Sequence, residues 1–467
     1  MRPRSPVPAL CLGEAFSPGL DSPDADRAAV QLVAVELPPD TDPLDLWVAL
    51  PAEFGTYWET TDETIAGVGI CLGISPAEDW TEELDRVAAA VHLPTADFPS
   101  DHVPEPRLLG SVPFATGWVD ERWASLTSPG FVLPRWTVFR TAARVTLQLA
   151  VEGPIDASMR QTIERDLISI ESALSAESGA VPPWTRPFPA IIPPGQDATS
   201  WQASVESAVT AIREGHLQKV VLSRFVTHNF PHAVSPVALL RRLSESGAGR
   251  YRFGLRQGDT AFMGASPECL FDKRSDSVRV EALAGTVDLG PDRSVEALIR
   301  ATEHLFTSVK DLEEHSLVVR GVLDALDPVS ESVASAEWPL VREARGLAHL
   351  STDVTAELWP GVTPLALINA LHPTPAVGGL PSSAALEFIQ HVEPEPRGLF
   401  AAPVGWISPS GDACLAVAIR STLLCGDQAR VYAGAGIVSA SDPVAEWEET
   451  AAKLRWLWEL GTDDEDA

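Results

Sequence analysis

Apolar and polar positions alternate in short runs along most of the chain, with longer stretches of helical period between them. VQLVAVEL (30–37), GVGICLGI (67–74) and VTLQLAVEG (145–153) have the composition of strands. WTEELDRVAAAVHL (80–93) and ASMRQTIERDLISIESAL (157–174) space their apolar residues for helices. Six prolines in AVPPWTRPFPAIIPPGQDATS (180–200) forbid regular structure and predict a linker or surface crossing. Beyond it, Ser200 is placed to cap a helix running to about Glu214, which Gly215 ends. QKVVLSRFV, VRVEAL, HLSTDVTAEL, FAAPVGWIS, ACLAVAIRSTLL and ARVYAGAGIV read as strands. TAFMGASPECLF reads as strand, tight turn, strand, and Ser294 to Leu323 as one long helix. Strands come in runs, which predicts a largely antiparallel α+β architecture over a doubly wound sheet.

The richest stretch is VYAGAGIVSASDPVAEWEETAAK, Val431 to Lys453. It predicts a glycine-rich strand turning into a helix, with Asp442 at the N-cap and Pro443 at the first helical position. Glu446, Glu449 and Lys453 share one face; Trp447, Ala451, Leu454 and Trp458 share another. Two carboxylates facing the bare backbone of Gly434 and Gly436 suit a hard cation such as Mg²⁺ beside an anionic substrate. The same spacing describes a solvated face with a Glu449–Lys453 pair. AGAG lacks the spacing of a dinucleotide fingerprint.

Charge narrows the partners. Lys+Arg 34 against Asp+Glu 65 gives −31, which disfavours nucleic acid and anionic membrane and requires a local basic or metal-bearing pocket for an anionic substrate. The hydrophobic content of 45% supports a sizeable core. Cys11, Cys71, Cys269, Cys414 and Cys425 are scattered, without CxxC, as expected of reduced thiols in a cytoplasmic protein. Neither a signal peptide nor a membrane span is expected.

Several residues have the chemistry of a site. Lys219 lies on a strand with apolar faces; an ammonium short of water gives up its proton more readily and suits a general base, unless it snorkels to solvent. Glu268 follows a Gly-Ala-Ser-Pro turn able to aim a carboxyl into a cleft, or is an ordinary turn residue. Gly285 and Thr286 end EALAGT at a ligand site or a turn. Glu314, in VKDLEEHSLVV, is placed to complete a metal site with Glu449. The adjacent His315 does not make HExxH, so zinc is not expected and a satisfied helix histidine is. LHPTPAVGG (371–379) reads as a rigid loop. Arg420, on a strand face with Ala416 and Ala418, offers a fork for a carboxylate or a buried ion pair.

QKVVLSR, GASPECLF, EALAGT, KDLEEH, LHPTPAVGG, RGLFAAPVGW, VAIRS and AGAGIV with EWEET, in that order, resemble the chorismate-utilising enzymes: isochorismate, salicylate, anthranilate and aminodeoxychorismate synthases. The match is strong from about 200 to 458, and FGTYWET, LLGSVPF and GFVLPRW extend it toward the N-terminus. The resemblance implies one α+β unit of two packed, largely antiparallel sheets with helices outside. Residues 1–190 form its N-terminal portion, 200–460 its chorismate-binding core, and 461–467 an acidic tail. It implies Lys219 as base and Glu268 as acid. Mg²⁺ is implied on Glu314, Glu446 and Glu449, with Gly285, Thr286, His349, Arg420, Gly434, Gly436 and Lys453 around chorismate. Lys219 together with Ala284 points within the family to water addition, hence isochorismate or salicylate synthesis without a glutaminase subunit. HPTPAVGG favours isochorismate, for menaquinone or a siderophore, with menaquinone the expectation. Cys414, Phe400 and Ala402 depart from the common Glu, Tyr and Gly; the lost phenol counts against salicylate formation. A monomer is the expected state.

Overall fold

The computed structural model describes residues 30–74, 104–153, 155–175, 187–246, 249–289, 294–344 and 346–460. The helix expected over 80–93, the acidic tail and Cys11 lie outside them. An eleven-stranded sheet runs in the order Val30–Leu37, Val145–Glu152, Trp136–Thr141, Glu63–Val68, Gly55–Glu59, Tyr251–Gln257, Thr260–Ser266, Ser421–Cys425, Gln428–Ile437, Lys219–Asn229 and Gly379–Leu380. A ten-stranded sheet runs Ser330–Ser335, Leu347–Leu358, Ser277–Asp288, Cys269–Arg274, Ala413–Val417, Pro403–Ile407, Leu108–Ser111, Phe131–Leu133 and Leu72–Ile74, with Leu340–Ala344 also on Leu347–Leu358. Every described pairing is antiparallel, as the runs of strands imply.

The sheets pack face to face. Trp58, Phe253 and Phe262 of the first share an apolar cluster with Phe271, Val280 and Trp406 of the second. Each such side chain contributes about 1.5–3 kcal/mol by leaving water. On the outer face of the first sheet, Trp136 and Leu147 pack against Ile163, Leu167 and Ile170 of the Ala157–Ser175 helix. Strands from before and after residues 187–197 share both sheets.

Twice, two neighbouring strands leave one sheet and enter the other side by side. At the first seam, Glu63–Val68 passes into Leu72–Ile74 beside the passage from Phe131–Leu133 to Trp136–Thr141. Thus GVGICLGI is two strands, divided at Gly69, whose φ is +73°. At the second seam, Thr260–Ser266 passes into Cys269–Arg274 beside the passage from Ala413–Val417 to Ser421–Cys425. ACLAVAIRSTLL is therefore divided too. Arg420 sits in the crossover at φ +52°, not on the strand face with Ala416 and Ala418.

Local hydrogen bonding explains the other departures. Asp197, not Ser200, caps the Ala198–Arg213 helix, because its carboxylate accepts from both Thr199 N–H and Ser200 N–H and starts the helix earlier. The long helix breaks at Ser308 into Val295–Thr307 and Val309–Leu326, because Ser308 turns extended and its hydroxyl accepts from Asp311 N–H as a fresh cap. EALAGT does not end its strand. Gly285, at φ +78°, is a bulge inside Ser277–Asp288, between Ala284 opposite Leu350 and Thr286 opposite His349. From Pro187 the proline-rich stretch is strand-edge cover: Phe188 N–H donates to Asn229, Ile191 bridges Thr227, and Gln196 Oε1 accepts from Phe225 N–H.

Candidate active site

The second seam opens into a cleft of about 710 Å³, counting space open to solvent. Glu268 and Arg420 enter it from the two crossovers, Gly285, Thr286 and His349 from the bulged pair, and Gly434 and Gly436 from the glycine-rich strand. Glu314 comes from the Val309 helix, and Glu449 and Lys453 from the Pro443–Leu454 helix. Asp442 caps that helix on Val444 N–H and Ala445 N–H with Pro443 at its start, as expected. The helix's second and third turns bring Glu449 and Lys453 to the cleft.

Lys219 lies one layer beneath. It is 0% exposed, and its Nζ is 3.1 Å from Glu314 Oε1. Gly436 makes this possible, since a Cβ there would stand 2.0 Å from Glu314 Oε1. The close approach anticipated for a ligand is thus made by the protein's own carboxylate. Glu449 Oε1 accepts from Lys453 Nζ at 2.6 Å, and Lys453 also donates to Gly434 O at 2.9 Å. The helix pair and the cleft-facing surface, alternatives in the sequence, are therefore one arrangement. Glu446 does not line the cleft. It is 1% exposed and accepts from Lys310 Nζ at 2.5 Å. The three glutamates expected around a metal are each held by a lysine, and among the described residues no three His, Cys, Asp or Glu side chains converge on one point.

The electrostatics divide the carboxyls. Burial, with Glu281 nearby, pushes Glu268 up to about 8 against the pull of Lys219 and Lys453, so it is largely protonated at neutral pH. Burial and the neighbouring Glu449 push Glu446 up to about 7. Burial also opposes ionisation of Glu449, but bonded Lys453, with Lys310 and Arg420 beyond, more than offsets it and holds that carboxyl below its ordinary value. Burial, then Arg420 and Lys453, holds His349 well below the ordinary imidazole value; its Nδ1 lies 3.1 Å from Thr286 Oγ1. Burial, aided by Lys219, lowers His315 to about 4; its Nε2 meets Thr352 Oγ1 at 2.7 Å, while its Nδ1 has no hydrogen bond of standard geometry among the described residues, so the satisfied helix histidine expected is satisfied at one ring nitrogen.

Two residues escaped the sequence reading. Arg397 lines the cleft and ties it together, donating to Glu393 and to the carbonyls of Val377 and Val221 at 2.7 Å. Its i,i+4 spacing from Glu393 was legible, but the carbonyls it gathers were not. Lys310 is spaced to pair with Glu314 along its own helix, yet it crosses to Glu446.

A family model described as chorismate binding enzyme matches residues 22–460. The chain belongs to the chorismate-binding enzymes. Relatives in this family include the salicylate biosynthesis isochorismate synthase of Pseudomonas aeruginosa, 32% identical over 92% of this chain and 89% of that one. The isochorismate synthase MenF of Bacillus subtilis is 35% identical over 72% of this chain and 70% of its own length. The solved structure of the menaquinone-specific isochorismate synthase of Escherichia coli superposes with a TM-score of 0.78 at 26% identity, covering 97% of this chain and 100% of that one. Two packed antiparallel sheets flanked by helices are thus the architecture that the motifs implied for this chorismate-binding enzyme. Among its described residues no helix is long and apolar enough to cross a membrane.

Proposed function

We propose that this chorismate-binding enzyme is an isochorismate synthase, a hydroxymutase that adds water at C2 of chorismate and expels the C4 hydroxyl. The observation that carries the reading is a carboxyl, Glu268, that lines the cleft and is held largely protonated, with a fully buried lysine, Lys219, just beneath and close enough to pull on it. An allylic exchange needs one group to take a proton and another to give one, and these two are of the required kinds. Glu268 gives its proton to the departing C4 hydroxyl, which leaves as water while the ring double bond shifts. Lys219, acting as the free amine with its pair to Glu314 opened, accepts the proton of the water that attacks C2. Arg420 and Lys453, with the backbone at Gly434 and Gly436, hold the substrate carboxylates. Gly285 and Thr286 shape the wall, and neutral His349 supplies a hydrogen bond without charge.

Mg²⁺ belongs to the proposal. The donors are all carboxylate oxygens, which suit a hard cation, and Glu446 Oε2 is buried without a hydrogen bond of standard geometry among the described residues. Glu314 and Glu449, supported by Glu446, are the residues that would hold the ion. Bound there, it would neutralise charge on the ring carboxylate and let a dianion enter a chain of net charge −31. We take the enzyme to act in the cytoplasm as a monomer without a glutaminase subunit, and its product to feed menaquinone synthesis. Full-length similarity to the menaquinone-specific enzyme of Escherichia coli supports that destination.

Purified protein given chorismate and Mg²⁺ is expected to form isochorismate, to stop when EDTA is added and to recover with excess Mg²⁺. Release of salicylate with pyruvate, or ammonia-dependent anthranilate, would replace this reading with a sister activity. A deletion strain that keeps its menaquinone but loses salicylate would redirect the product.

A further inference from the structure

A second cavity, of about 780 Å³ counting space open to solvent, lies behind the active site. The Lys219–Asn229 strand turns Val221 toward the catalytic cleft and Arg224, Val226 and His228 the other way. The Pro443–Leu454 helix likewise shows Glu449 and Lys453 to the cleft and Trp447, Ala451 and Leu454 to the second cavity. Its walls are mostly apolar.

Arg224 is the unexplained group in it. The residue is 4% exposed, and its guanidinium lies 3.6 Å over the Trp447 ring. Its Nε donates to Thr450 Oγ1 at 2.8 Å, while its terminal amino groups make no hydrogen bond or ion pair among the described residues. Burial lowers Arg224 to about 10, with no carboxylate opposing it. Arg397, the comparably buried arginine of the cleft, has Glu393 as its counter-ion. Burying a guanidinium without an anion is costly, so its free edge is poised to receive one. Among the described residues no carboxylate lines this cavity, in a chain of net charge −31. The stacking on Trp447 leaves the guanidinium edge open, the geometry that accepts a carboxylate through two parallel hydrogen bonds.

We propose that this groove binds a small amphipathic carboxylate, its anionic end on the edge of Arg224 and a flat apolar body against Trp447, Ala451 and Leu454. The helix that would touch the ligand also carries Glu449 and Lys453, so occupancy bears on the catalytic cleft. The proposal is independent of which reaction the cleft performs.

Isothermal titration of the full-length protein with indole-3-acetate, and with its neutral isostere indole-3-acetamide, tests it. The acid is expected to bind one site at least about tenfold more tightly than the amide. Arg224→Met should bring the two ligands within about twofold of each other. Ala451→Trp, which fills the groove, should abolish binding of both, and Arg420→Met in the cleft should leave it intact. Equal affinity for acid and amide, absence of acid binding at millimolar concentration, or loss with Arg420→Met in place of Ala451→Trp overturns the proposal. If Arg224→Met does not fold, the other two variants still decide.

Discussion

The two seams share a topology and differ in what fills them. At the first, Gly67 lies so close to Pro134 that a Cβ would stand 2.4 Å from its ring, and Arg135 reaches out to Asp166 on the flanking helix at 3.4 Å. Backbone bonds such as Cys71 N–H to Leu133 O, at 2.9 Å, close the remaining space. At the second, Glu268 and Arg420 stand in the crossovers and an open cleft lies between the strands. A strand pair changing sheets therefore provides a place for a site but not the site itself. The side chains at the turn decide whether it becomes core or chemistry.

The contrast breaks most sharply under substitution. Lys219→Ala and Glu268→Gln should each lower kcat by roughly 10³-fold or more while chorismate binding, measured by titration calorimetry, persists. Trp136→Ala, at the first seam, should do the reverse. Its ring is 0% exposed and its Nε1 donates to Asp166 at 3.1 Å. Loss of both should cost about 3–5 kcal/mol in urea unfolding, with turnover per folded molecule unchanged.

pH sharpens the same contrast. On the proposed mechanism Glu268 gives a proton, so kcat/KM should fall about tenfold per pH unit above about 8. Stability follows the same proton. Its folded value near 8 lies above the ordinary 4.5, so the unfolded chain releases the proton first. Stability from this group is complete below about 4.5 and is lost as pH rises through about 8. Glu268→Gln should remove that slope, giving a Tm that exceeds the wild-type value increasingly toward pH 8. A Tm difference that stays constant across this range would contradict the assignment. The smallest effect is expected at Asp442→Ala, which loses the cap on the Pro443 helix and about 1 kcal/mol.

Much of this was legible in the chain. The glycine-rich strand, the Asp442 cap and the shared face of Glu449 and Lys453 follow from local spacing, and local hydrogen bonds hold them in place. The crossovers were not legible. ACLAVAIRSTLL holds no glycine or proline and keeps a strand-like composition on both sides of Arg420, so nothing local marks where one sheet is exchanged for the other, and Arg420 was misplaced for that reason. The break at Ser308 was readable in principle as a serine three residues before Asp311, but helical spacing on both sides masked it. The lysine that holds Glu446 and the carbonyls that Arg397 gathers come from distant segments, which periodicity does not report.

The paired crossovers also bear on how the enzyme comes into being. Thr260–Ser266 pairs early with Tyr251–Gln257 but finds its second neighbour only when Ser421–Cys425 has been synthesised, and Glu268 meets Arg420 only then. On the ribosome the corner that carries the proposed site is among the last features to close, and until it does Thr260–Ser266 offers nascent chains an unpaired edge prone to self-association. Release of a chain stopped before Arg420 yields no weakened enzyme, only a client for chaperones.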